Sequence, residues 1–306
     1  MGKILQTKQP FVEWPTLFVL LATYLTLAVA TTWLTSVSLS LAIFVTGIAI
    51  AQFSSLQHEV LHGHPFRSRA LSEAAVFLGA TIYIPYIRFK DTHLAHHHDP
   101  ILTDPYDDPE SNFVDPQVWA NLPKISKFLL KANNTLLGRI LLGPAVSIWS
   151  FVGSDLGAIF RGDRHILTAW VLHAGGVALV FAWLFVMDGM PIWAYFISAY
   201  FGFGLLKIRT FLEHRAHDLA RARSVVIADK GFFALLFLNN NFHSVHHCQP
   251  GLAWYRLPVT FAQNKDHYLA RNDGYFYATY AQVFRQYLFR AKDTVPHPLW
   301  PNAEKL

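Results

Sequence analysis

Eight histidines in three clusters concentrate the chemical potential of this 306-residue chain. His58-x-x-x-His62 is followed by His93-x-x-His96-His97 and, far downstream, by His243-x-x-His246-His247. On a helix, positions three and four apart share a face. Each triplet is therefore expected to present its three imidazoles in one direction, and the first pair two more. Neutral imidazole is the commonest nitrogen ligand for Zn, Fe, Cu and Ni. A lone histidine on an apolar helix is ordinarily a hydrogen-bonded core residue. Two copies of one spacing plus a further pair, each beside a membrane-length apolar run, point instead to a metal centre. One first-row ion takes at most about six donors and a structural zinc takes four, so eight convergent imidazoles imply two ions with positions left over. Open positions mark a catalytic site, since structural sites are closed. Affinity order alone does not choose among Zn, Fe, Cu and Ni.

The elements that position these clusters are apolar. The chain is 53% hydrophobic and only 15% charged, with mean hydropathy +0.26, whereas charged residues make up about a quarter of soluble domains. Net charge is +5 and pI near 9.2. No basic run interleaves with stacking aromatics, so nucleic acid is not the expected partner; an anionic membrane surface is. The single cysteine, Cys248, excludes an intramolecular disulfide and a Cys-based zinc pattern. Residues Met1 to Pro15 are polar and mixed, with neither a cleavable signal nor the Ser/Thr of a myristoylation site.

No Asp, Glu, Lys or Arg occurs from Trp14 to His58. At about 20 apolar residues per crossing, this run holds two spans, Trp14 to Leu34 and Leu39 to Leu56, with Thr35-Ser36-Val37-Ser38 as the turn. Ala74 to Tyr86 is too short to cross and reads as re-entrant or interfacial. Asp99 to Pro123, with four Asp-Pro steps, reads as a solvated connector. Asn134 to Phe160 reads as one helix along the interface. His165 to Val186 and Pro191 to Leu206 are the third and fourth spans. Neither outer turn contains Lys or Arg, which makes the histidine-bearing side cytoplasmic. The same topology lets all three clusters share one site. The expected architecture is all-α and integral to the membrane: four transmembrane helices in two hairpins, interfacial helices, and a cytoplasmic histidine-rich cap. It forms one domain over residues 1–306, the cap drawn from 57–164 and 207–306 and ending in a soluble-looking aromatic tail.

The three histidine groups resemble the histidine boxes of the membrane fatty acid desaturase superfamily, which includes alkane monooxygenases and carotenoid ketolases and hydroxylases. Glu213-His214, just past the fourth span, resembles the element by which related monooxygenases supply an extra ligand. Trp254-Tyr255-Arg256-Leu257-Pro258 is similar to the ending that follows the third box in desaturases. The resemblance implies a di-iron centre that reduces O2 and attacks an unactivated C–H bond. It makes His58, His62, His93, His96, His97, His243, His246 and His247 iron ligands and His214 the ninth. Glu59, Asp99, Asn240 and Asn241 adjoin ligands and are candidates to orient their imidazoles. His64 and His98 are expected outside the ligand set, and His165 and His173 away from the cytoplasmic face. The implied substrate is a lipid or fatty acyl chain, and the implied electron source a separate ferredoxin- or cytochrome-type donor. Apart from the resemblance, the charge bias and compact form make a bacterial inner membrane the expected location, with both termini and the active site cytoplasmic. Hydroxylase, ketolase or monooxygenase chemistry on the same scaffold is the alternative. A metal transporter fits less well, because transport needs polar ligands along a path between the two faces.

Overall fold

A backbone with no water to bond has to bond to itself, and a helix does so within one segment. The computed structural model describes residues 11–300, the Asp99 side chain excepted. Pro15 stands in the first turn of α1 (Trp14–Thr31), where its missing N–H is not needed. The Thr31 and Thr32 hydroxyls turn back onto the Leu27 and Ala28 carbonyls at 2.7 and 2.6 Å, and the short α2 (Trp33–Val37) follows. Ser38 then reverses the chain and caps α3 (Leu39–Leu61), its Oγ accepting from the Leu41 N–H. The turn is thus tighter and later than the expected four-residue patch. Thr35 and Ser36 stay helical because their hydroxyls donate to the Ala30 and Trp33 carbonyls. Helix α3 also overruns its expected end and carries His58 in its last turn.

After α4 (Arg69–Ala75) the chain runs without helix from 76 to 85, burying Val76 and Ala80, and enters α5 (Tyr86–His96). A 3-10 turn at Asp99–Ile101 and α6 (Pro116–Asn121) interrupt the Asp/Pro-rich stretch. The single interfacial helix expected over Asn134 to Phe160 is instead broken, and starts earlier, as α7 (Lys124–Asn133), α8 (Leu136–Leu141) and α9 (Gly143–Phe160). The breaks are local: the Thr135 side chain caps α8, and Pro144 opens α9. Asp163 caps α10 (Arg164–Val186) through the Ile166 N–H, and Pro191 precedes α11 (Ile192–Thr210).

Among the described residues, three stretches are long and apolar enough to cross a membrane: Trp14–Val37, Leu39–Leu61 and Arg164–Val186. Helix α11, which ends in Lys207 and Arg209, is not one of them. Helix α3 packs against both α1 and α11, and Leu20, Leu27, Ile50, Phe53, Val180 and Leu184 belong to the core they share with α10. The α3–α11 contact is backbone-close. A Cβ at Gly202 would lie 2.6 Å from the Gly47 carbonyl oxygen, and one at Gly47 would run into the Phe201 ring. Small residues permit such approach where the hydrophobic effect does not drive helices together.

Helix α5 is tied down by charge. Arg88 donates to both Asp155 oxygens of α9 at 3.0 and 2.9 Å, and Trp170 Nε1 of α10 reaches the same carboxylate at 2.9 Å. His165 binds Asp91 of α5 at 2.8 Å. It therefore lies on the histidine-bearing side and not away from it, because the first turn of α10 starts there. His173 instead bonds the Ile82 carbonyl at 3.0 Å.

Past α11 come β1 (Val226–Ile227), α12 (Phe232–Leu236), α13 (His243–Cys248), α14 (Leu257–Gln263), α15 (Lys265–Arg271), β2 (Phe276–Tyr277) and α16 (Tyr280–Tyr287). Strands β1 and β2 pair in parallel, Val226 opposite Phe276. The aromatic tail is structural: Tyr280 and Val283 share a second core with Phe211, Leu236 and Phe237. Val114 N–H donates to the Val295 carbonyl, and His297 N–H to the Val114 carbonyl, so the tail closes over the Asp/Pro loop.

Gly202→Val forces a branched side chain into the Gly47 backbone and should destabilise the protein by about 1–3 kcal/mol, the usual cost of overpacking. Gly153→Ala in α9, where a Cβ meets nothing within 4 Å, should not. Thermal unfolding in detergent separates the two; equal midpoints would contradict the close crossing.

Candidate metal centre

Four chain segments deliver nine imidazoles to one place. Helix α3 brings His58 and its C-cap His62, α5 brings His93, His96 and its C-cap His97, and α13 brings His243, His246 and His247. His214 follows α11, its backbone bridged to Ser224 and its carbonyl accepting from Lys292 Nζ at 2.8 Å. The donors sort into two groups, each with all its ligand atoms within 4.8 Å of one another: His58, His62, His93, His97 and His246; and His96, His214, His243 and His247.

The split corrects the expectation that each triplet points one way. At 3.6 residues per turn, the residue at i+4 lies roughly 40° ahead of residue i and the one at i+3 roughly 60° behind. His93 and His97 accordingly face the first group while His96 faces the second. His243 and His247 face the second while His246 crosses to the first. Each triplet serves both groups and thereby staples them together.

Hydrogen bonds behind the rings fix where protons sit. His93 Nδ1–H donates to Glu110 Oε1 at 2.8 Å, His96 Nδ1–H to Asp108 Oδ1 at 2.7 Å, and His243 Nδ1–H to Asn240 Oδ1 at 3.2 Å. In each neutral ring Nε2 is then a bare acceptor. Those acceptors confront further ring nitrogens. His93 Nε2 is 3.0 Å from His97 Nε2, itself 3.1 Å from His246 Nε2. His214 Nε2 lies 2.9 Å from His96 Nε2 and 3.0 Å from His243 Nε2, which is 3.2 Å from His247 Nε2. One proton on His214 cannot satisfy both of its neighbours. His58 Nε2 and His62 Nε2 are buried with no hydrogen-bond partner. A cation resolves all of this. With metal–nitrogen bonds of about 2.1 Å, neighbouring donors on a six-coordinate ion stand about 3.0 Å apart. The residues fit a pair of first-row metal ions.

Electrostatics keep most of the rings in the ligating form. Burial, reinforced by His93 and other neighbours, pushes His62 down to about 2. Burial and then the adjacent imidazoles likewise lower His97, His214, His243 and His246. His96 differs: burial disfavours its charge, but Glu110 and Asp108 outweigh that and raise it to about 9.

The remaining candidates divide. Asn240 supports His243 and also donates to Glu213 Oε1 at 3.3 Å, and Glu213 pairs with buried Arg209 at 3.1 Å. Glu59 Oε1 stands 3.7 Å from His58 Nδ1 while its other oxygen accepts from the Trp254 N–H, tying α3 to the segment after the third cluster. Asn241 donates to the Ile227 and Asp229 carbonyls and shapes the backbone before α13. The Asp99 side chain lies outside the described residues. His64, His98 and His217 join neither group; His64 pairs with Glu13 at 2.8 Å, and His217 with Asp273 at 3.2 Å.

Sequence reasoning missed Asp108 and Glu110. The loop read as a connector is what sets two of the imidazoles. Its Asp-Pro-Glu step, twelve to fourteen residues past His96, was the available signal. Asp108→Ala should weaken uptake of a first-row divalent ion about 10- to 100-fold, as loss of a ligand's hydrogen-bond partner does, while Asp107→Ala at an exposed neighbour leaves it unchanged. Competition titration against a chromogenic chelator measures both; equal affinities would contradict the role given to Asp108.

No curated protein matches the chain. The fatty acid desaturase family model matches residues 31–279, which takes in α3, the α10–α11 hairpin and every histidine of the two groups. With that match across most of its length and histidine groups able to hold metal, the chain belongs to the membrane fatty acid desaturase superfamily.

Proposed function

We propose that the protein is an oxygen-dependent desaturase of acyl-lipid or acyl-thioester chains, with two iron ions held by His58, His62, His93, His97 and His246 on one side and His96, His214, His243 and His247 on the other. The observation that carries the reading is the convergence of nine buried or half-buried imidazoles into groups of five and four, too many donors for one ion and too few to close two. When bound, the iron pair supplies the reduction of O2 and the power to remove hydrogen from an unactivated C–H bond.

The chain's own residues prepare that chemistry. Asp108, Glu110 and Asn240 hold three imidazoles by Nδ1, turning each Nε2 toward the metal positions. Rings that cannot swing keep ligand geometry constant as the metal charge changes. His58, His93, His96, His243 and His246 are all at most 2% exposed, so bulk water is kept from the donors. An apolar substrate suits the surroundings. A cavity of about 420 Å³ lies among Tyr24, Leu27, Leu78, Leu179, Trp183 and Tyr195, roughly 15–25 Å along α1 from the end nearest the histidines, a distance a long alkyl chain spans. The two hairpins, α1–α3 and α10–α11, are read as four spans, with α11 crossing despite its lower hydropathy. The turns at 32–38 and 187–191 lack Lys and Arg, which supports a cytoplasmic side for the histidines, both termini and the rest of the cap, in a bacterial inner membrane. Residues 1–306 then act as one domain. Electrons come from a separate ferredoxin- or cytochrome-type donor.

Expression in a bacterial host, followed by mass spectrometry of its lipids, tests the reading. Acyl chains should lose two hydrogens, and His96→Ala should abolish the change together with bound iron. A gain of one oxygen would replace the desaturase assignment with a hydroxylase; full turnover by His96→Ala would remove His96 from the ligand set.

A further inference from the structure

Imidazole ligands bring no negative charge to two divalent ions, and a buried charge without a counter-charge is costly. The cations nearby make matters worse: Arg139, Lys207 and Arg209 are all buried. Anions close to the groups are therefore the place to look for unassigned function. Glu59 and Glu213 stand 3.7 Å from the Nδ1 atoms of His58 and His243, behind the rings. Asp108 is also behind its ring, and both its oxygens are engaged, one by His96 Nδ1 and the Glu110 N–H, the other by the Thr103 N–H.

Glu110 is different. Its Oε1 accepts from His93 Nδ1, but its Oε2 lies 3.9 Å from His96 Nε2, on the side where a metal binds. Of these four carboxylates it alone reaches an Nε2. It also links the groups, since His93 serves the five-histidine group and His96 the four-histidine one. The spacing is informative. Two donors on one six-coordinate ion with bonds of about 2.1 Å stand about 3.0 Å apart when adjacent and about 4.2 Å apart when opposite; 3.9 Å falls within that range. The backbone is already set, with the Glu110 N–H held by Asp108 at 2.9 Å, and the side chain is about a quarter exposed, so its free oxygen can move. Glu110 stands at the rim of the quartet and not among the donors that lie within 4.8 Å of one another, so binding draws it inward.

We infer that Glu110 is an oxygen ligand of the four-histidine metal position, the fifth donor that this group lacks, while its other oxygen keeps His93 oriented. The inference rests on the two-metal reading above. Hard carboxylate oxygen favours iron over softer ions, and one anionic donor makes the two positions chemically unequal.

The test uses the full-length protein reconstituted with 57Fe, read by metal analysis and Mössbauer spectroscopy without any substrate. Wild type should hold two irons with two distinct quadrupole doublets. Glu110→Gln keeps an acceptor for His93 but loses the charge; it should retain one iron and its doublet while the other is bound at least about tenfold more weakly. Glu110→Ala also removes the acceptor for His93 and should weaken both irons, and added acetate should restore the four-histidine iron, which a merely structural defect would not allow. Two irons of unchanged affinity and unchanged doublets in Glu110→Gln would overturn the inference and leave the two-metal reading standing. Selective weakening of the five-histidine iron would overturn it too, by showing that Glu110 acts only through His93. Fewer than two irons in the wild type would overturn both.

Discussion

Bare imidazole nitrogens facing one another at about 3 Å inside a protein constitute the constraint that organises this molecule. Lone pairs at that distance repel unless a proton or a cation lies between them, and hydrogen bonds from Nδ1 to Asp108, Glu110 and Asn240 deny three of the rings relief by a change of tautomer. The chain contributes rings from four segments to keep those nitrogens close. Each of those segments is held by specific contacts.

For α3 that support is the Gly47–Gly202 crossing against α11, which also aims Glu213 and His214 at the site from the end of the neighbouring helix. For α5 it is the two-pronged Arg88–Asp155 contact with α9, shared by Trp170. Buried ion pairs are poor sources of stability, and breaking one leaves a stranded charge; their value here is directional. For α13 it is the third core, with Val245 packed among Phe242, Phe261 and Tyr268. The aromatic tail adds Lys292 on the His214 carbonyl and the Val114–Val295 pairing over the Asp/Pro loop. Membrane helices and cap thus form one support, and the metal-binding groups sit where they meet.

Much of this was legible in residue order. The charge-free run from Trp14 announced a helical hairpin, and the repeated His-x-x-His-His spacing announced a shared site, since both signals are local and periodic. What periodicity blurred was direction. Calling i, i+3 and i+4 one face ignores the roughly 100° between the last two, and that angle decides which group His96 and His246 join. Long-range contacts were illegible for a different reason. The Asp-Pro-Glu step at 108–110 offers carboxylates close in sequence, but its spacing does not say that the chain doubles back to His93 and His96. Proline steps that mark a solvated loop equally mark one pinned against a site. His165 begins an apolar run that hides its position, yet the first turn of that helix meets Asp91. Asn134 to Phe160 looked like one helix because the Thr135 and Pro144 breaks add no charge.

Anomalous X-ray scattering from crystals of the purified protein, recorded on either side of the iron absorption edge, bears most directly on the central claim. Two iron peaks are expected, one enclosed by His58, His62, His93, His97 and His246 and the other by His96, His214, His243 and His247. A single peak, or signal only at the zinc edge, would contradict that claim.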